Sequence, residues 1–131
     1  MSPKRLPTRQ AEEGEGRNRR RIAAKYLEVA EIAATEDGTA VNVAVGVAVL
    51  AGIAAADAIC IAATGERYSG QDHAAAADLL AGVDRELGKR LRVLIGLKPG
   101  SHYGDTLLST DQRDRAIRAA RDLVKAAEDR L

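Results

Sequence analysis

The 131-residue sequence predicts an all-α fold, an antiparallel bundle of about five helices. Three observations point there. Residues 39–65 form one long apolar run, broken inside only by Asn42 and Asp57, and no other segment is comparably hydrophobic. Valine falls at every second position over residues 41–49, a strand-like period, but no other alternating run of Val, Ile or Thr exists to pair with it. The segments on either side carry apolar residues at helical spacing. The run is therefore read as one central helix, its β-branched residues overridden by context. Ala44, Gly46, Ala48, Ala51, Gly52, Ala55 and Ala56 are small enough to let neighbouring helices approach closely.

Taken in order, residues 1–17 hold two of the three prolines and almost no apolar side chain. They bury too little surface to offset their ordering entropy, so a flexible basic tail is expected, with a single domain over residues 18–131. A first helix follows over residues 18–35, with Ile22, Tyr26, Val29 and Ala33 as its apolar stripe, and Asp37 and Gly38 turn the chain. The central helix stops at Gly65, a C-terminal cap. Ser69 and Asp72 resemble a capping box opening a third helix over residues 71–81, ended by Gly82. Asp84 caps a fourth helix whose Leu87, Leu91, Leu94 and Ile95 share a face; Pro99 and Gly100 end it. After a loop over residues 98–104, Ser109 and Gln112 form a second capping box. The last helix runs to about Arg130, with Ala116, Ile117, Ala120, Leu123, Val124 and Ala127 inward and the pairs Asp111/Arg115, Asp114/Arg118 and Lys125/Asp129 outward.

Composition removes several function classes. The central run is long enough to span a bilayer, but Ala and Gly favour insertion little and Asp57 is costly in lipid, so a soluble core helix is expected and no membrane association. The single cysteine, Cys60, lies in that helix, which excludes a disulfide framework and fits a reducing, cytoplasmic setting. No apolar leader segment follows the basic N-terminus. No His/Cys pair has zinc spacing and no glycine-rich loop follows a strand, so neither a metal nor a cofactor is expected. The net charge is +1, yet residues 1–25 hold eight Lys/Arg against three Glu, so the basic character is local. Within it Arg17, Arg19, Arg20 and Arg21 are candidates for RNA phosphate; the plain alternative is a solubilising start to the first helix. With no Phe or Trp, stacking is left to three tyrosines, among them Tyr103.

The residues from the central helix onward, about 90 in all, resemble the HEPN superfamily of small helical bundles. Asp57 stands in the apolar helix, Tyr68, Ser69, Gly70, Gln71, Asp72 and His73 in the following loop, and Lys98, Pro99, Gly100, Ser101, His102, Tyr103 and Gly104 after Leu97. The resemblance implies a homodimer and an RNA-directed role of the toxin–antitoxin or defence type. It also implies RNA or a cognate antitoxin as partners, and a metal-independent ribonuclease whose motif is an Arg followed by four to six residues and a His. Arg67 to His73 fits that spacing but lies before the third helix; Lys98 to His102 lies at the matching place with Lys for Arg and three residues between. An imidazole can move a 2′-hydroxyl proton and a fixed cation can offset phosphate charge, which is why these residue types are paired.

Each candidate also has a plain structural reading. His73 can be a first-turn capping group and His102 a loop residue, while Asp57 needs a donor such as His73, Lys98 or Tyr103 simply to be buried. Cys60 is read as a packing thiol. The competing function class is a non-catalytic interaction module that binds a protein partner through the bundle surface.

Overall fold

A computed structural model describes residues 6–130. Among these, five helices and a two-stranded ribbon follow one another: β1 (Thr8–Gln10), α1 (Glu13–Ala33), α2 (Thr39–Thr64), β2 (Glu66–Tyr68), α3 (His73–Val83), α4 (Arg85–Tyr103) and α5 (Thr110–Arg130). The protein is an all-α bundle with α2 as its axis, packed against every other helix. Among the described residues α2 is the one helix long and apolar enough to cross a membrane, and 83 % of its most apolar stretch is buried inside the bundle.

Glycine and alanine on α2 decide how closely the others approach. At Gly52 a β-carbon would lie 2.3 Å from Leu94 of α4 and 3.3 Å from Leu123 of α5, so those leucines fill the room glycine leaves. Local signals end most elements where the residues predict. Gly65 caps α2 in the left-handed region at φ 74°, a conformation that costs glycine little. Asp84 accepts from the amides of Glu86 and Leu87. Ser109 and Gln112 make the reciprocal pair of bonds of a capping box, 2.8 and 3.1 Å.

Several expectations change. The N-terminal segment is not a tail up to residue 17: Thr8–Gln10 pairs antiparallel with Glu66–Tyr68, the Ala11 amide donates to the Gly65 carbonyl at 2.9 Å, and α1 begins at Glu13. Composition judges only what a segment buries by itself, whereas this arm obtains backbone partners from a strand 58 residues away. Residues 1–5 of the expected tail lie outside the described residues. The stripe of α1 is rotated by one position: Ala23 and Ala30 are fully buried, while Ile22 and Val29 are 40 % and 43 % exposed. Close packing on an Ala/Gly-rich α2 selects the smaller residues for the contact. At the start of α3, Asp72 rather than Ser69 is the cap, accepting from the Ala74 amide.

The fourth change concerns α4, which continues through Pro99 to Tyr103. Proline denies the Ile95 carbonyl its helical partner, but one local bond and one tertiary contact hold the last turn. The Ser101 hydroxyl donates to the Lys98 carbonyl, and His102 reaches α2. On the wet side of α5, Lys125 pairs with Asp129, but Asp114 takes Arg113 instead of Arg118, and no Asp111–Arg115 bridge forms. Both polar residues inside α2 act as anchors. The Asn42 amide donates to the Thr106 carbonyl and its oxygen accepts from the Leu108 amide, holding the α4–α5 loop. Asp57 holds the other end.

Candidate functional site

Asp57 is 7 % exposed, and an isolated carboxylate there would be costly. Two guanidinium groups meet its Oδ2: Arg19 of α1 through Nε at 3.1 Å and Nη2 at 3.0 Å, and Arg67 of β2 through Nη2 at 2.9 Å. Arg67 Nη1 turns to Glu15 at 3.2 Å, and Glu15 in turn is bound by Arg9 of the N-terminal arm. The chain Arg9–Glu15–Arg67–Asp57–Arg19 therefore ties the arm, α1, α2 and β2 together. Burial pushes the Asp57 carboxyl above its usual range, against the pull of Arg67 and Arg19. One atom is left over: Arg67 Nε is buried and has no hydrogen-bond partner.

His73 opens α3 and Lys98 lies on α4, and they meet at 2.5 Å between Nε2 and Nζ. An ammonium only donates, so the imidazole must accept at Nε2 and carry its proton on Nδ1. Burial and the neighbouring charge of Lys98 both hold His73 below its ordinary pKa, which keeps the ring neutral. Together with Gln71, Ile95 and Tyr103 they line an open groove of about 390 Å³. Tyr103 is 77 % exposed and its ring meets that of His102 edge to face at 6.0 Å.

The structure brings some sequence-predicted residues together and directs others elsewhere. His73 and Lys98 touch; Arg67 lines a pocket with His73 but is held by Asp57 and Glu15. His102 Nε2 donates to the Gly46 carbonyl at 3.2 Å, since a carbonyl only accepts. Gly46 permits this, because a β-carbon there would sit 3.1 Å from the His102 ring. The arginine cluster is divided by the helical turn. Arg19 points inward to Asp57, Arg17 pairs with Glu13 at 3.2 Å, Arg20 is also engaged, and Arg21 is exposed. Arg9 and Glu15 were missed as site residues. Arg19 had a legible signal: it stands four, seven and eleven residues before Ala23, Tyr26 and Ala30, on the buried face.

Cys60 lies one turn beyond Asp57, and burial drives its thiol up to about 12, so it remains protonated. Among the described residues no group of three or more His, Cys, Asp or Glu could hold a metal ion. A depression of about 650 Å³ is lined by Glu12, Glu15 and Glu66 without a cation and is ill suited to phosphate. No family model matches this sequence, and no curated protein is similar to it.

Proposed function

We propose that this chain is an RNA-directed, HEPN-like protein of the toxin–antitoxin or defence type, acting in the cytoplasm without a metal at the groove around His73 and Lys98. The observation that carries the reading is the contact of a neutral imidazole with a lysine ammonium on an open surface beside an exposed tyrosine. A phosphodiester entering the groove draws the Lys98 ammonium onto its oxygens, which frees the Nε2 lone pair of His73. His73 then takes the 2′-hydroxyl proton as the 2′-oxygen attacks phosphorus. The bond to the 5′-oxygen breaks, leaving a 2′,3′-cyclic phosphate, and the proton is returned to the leaving oxygen. Tyr103 offers a face for the adjoining base. Arg67, held by two carboxylates, serves as scaffold, and Lys98 supplies the cation.

A second reading, a non-catalytic module for a protein partner such as a cognate antitoxin, draws on the exposed Ile22, Val29 and Ile32 of α1 and Val43 and Leu50 of α2. Pairing of two copies belongs to the first proposal, and light scattering at micromolar concentration tests it. The deciding experiment is incubation with a mixed RNA pool in EDTA. Cleavage that is lost in His73→Ala and Lys98→Ala but kept in His102→Ala supports the ribonuclease; no cleavage by the wild-type protein transfers the case to the interaction module.

A further inference from the structure

The pocket behind His73 has features that the RNA reading does not use. It holds about 180 Å³ between α2, α3, α4 and β2, below the roughly 300–1,000 Å³ of drug-sized sites, so its occupant is small. One part of its lining is charged: Arg19, Asp57 and Arg67. Another is aliphatic: Ile53, Ala76, Leu79 and Leu91.

Two features of the charged part favour an anion. The pocket lining holds two cations, Arg19 and Arg67, against one carboxylate, Asp57, and the wider network, with Glu15 and the half-exposed Arg9 added, keeps the same surplus of one positive charge. Arg67 has Nη1 on Glu15 and Nη2 on Asp57, while its buried Nε–H has no acceptor. Buried donors are nearly always satisfied; this N–H is closed off from the cavity in the conformation seen, so a molecule bound in the pocket supplies its acceptor only as the Arg67 guanidinium shifts toward it.

We infer that this pocket is a binding site for a small amphiphilic monoanion, a carboxylate with a short hydrocarbon body, its carboxylate oxygens on Arg67 and Arg19 and its chain against Ile53, Leu79 and Leu91. One negative charge balances the surplus, and the hydrocarbon body gains from leaving water, at about 0.8 kcal/mol per buried methylene. Phosphate alone lacks that body, and a neutral alcohol of the same length lacks the charge. The site shares His73 with the open groove but does not rest on the RNA reading, because its charged contacts, Arg19 and Arg67, are not part of the groove and Lys98 and Tyr103 are not part of its lining.

Sodium hexanoate is the probe, titrated into the full-length protein at pH 7 and followed by amide chemical shifts, with acetate and hexan-1-ol as comparators. Saturable one-to-one binding is expected, at least tenfold tighter than for either comparator. Arg67→Gln removes the unpaired donor and should weaken hexanoate at least tenfold. Should that variant fail to fold, Ala76→Leu decides, because it fills the aliphatic wall, leaves every charge in place and should also cost at least tenfold. Lys98→Ala, which disables the groove, should leave hexanoate affinity within twofold. Equal affinity for hexanoate and hexan-1-ol, no saturation by hexanoate, or full binding by Ala76→Leu would each overturn the assignment.

Discussion

His73 Nε2 lies 2.5 Å from Lys98 Nζ, joining the first turn of α3 to the C-terminal part of α4 across 25 residues of sequence. The contact orients the imidazole and sets its tautomer, and with burial it lowers the pH at which the ring takes a second proton. A base works in its neutral form, above its pKa, so lowering that pKa extends activity toward acid. The His73 resonance is expected to titrate below pH 6.5 in an NMR titration, and to move upward in Lys98→Ala. If RNA is cleaved, the acid limb of the pH–rate profile follows that titration, and His73→Ala loses about 10²–10⁴ in rate. A titration at or above 6.5, unmoved by the lysine change, contradicts the pairing.

Asp57 tests whether its ion pairs stabilise the fold. Its raised pKa means that the folded state holds the proton more readily than the unfolded chain. The stability gained by the acid form is present below the ordinary value of 3.8 and is lost as pH rises through the folded pKa. Asp57→Asn keeps an acceptor for Arg19 and Arg67 without a buried charge, so at pH 7 it should be within about 1 kcal/mol of wild type or more stable. Asp57→Ala removes the acceptor and should cost about 1–3 kcal/mol. Urea midpoints at pH 4.5 and 7 provide the check, and the difference between wild type and Asn should move in favour of Asn as pH rises.

Gly88 and Gly96 share α4 and differ in surroundings. A β-carbon at Gly88 would lie 2.7 Å from the Ala81 α-carbon, which can yield only if α3 and α4 separate. At Gly96 nothing lies within 4 Å. Gly88→Ala should therefore destabilise by about 1–3 kcal/mol through overpacking. Gly96→Ala should stabilise by about 1 kcal/mol through helix propensity. Thermal melts of the two variants would refute this account if their order were reversed.

Cys60 should be unreactive in the folded protein. With its thiol at about 12 and buried, iodoacetamide at pH 8 is expected to leave the native chain unmodified and to alkylate it quickly in 8 M urea. Mass spectrometry distinguishes the two, and rapid labelling of native protein would mean that α2 opens at Cys60.

Much of the site was legible as residue types and little of it as partnerships. Asp57, Arg67, His73 and Lys98 stand out in the sequence because each is polar where burial or chemistry makes polarity expensive or useful. Spacing pairs Arg67 with His73 and Lys98 with His102. In the folded chain Arg67 binds Asp57, His73 binds Lys98, and His102 binds the Gly46 carbonyl. Spacing along the chain orders neighbours only within a helical turn, and none of those pairs is that close.

The sequence by itself determined the helices and most of their ends. Capping at Asp84 and Ser109 and the left-handed Gly65 act within three or four residues, and the apolar run of α2 has nowhere to go but a core. Tertiary structure decided which face of α1 turns inward, whether α4 survives Pro99, whether the N-terminal arm is ordered, and which cation each carboxylate and imidazole receives. The physical reason is range: periodicity and capping are local, whereas ion pairs and close contacts depend on distances in space that only the packed α2 axis sets.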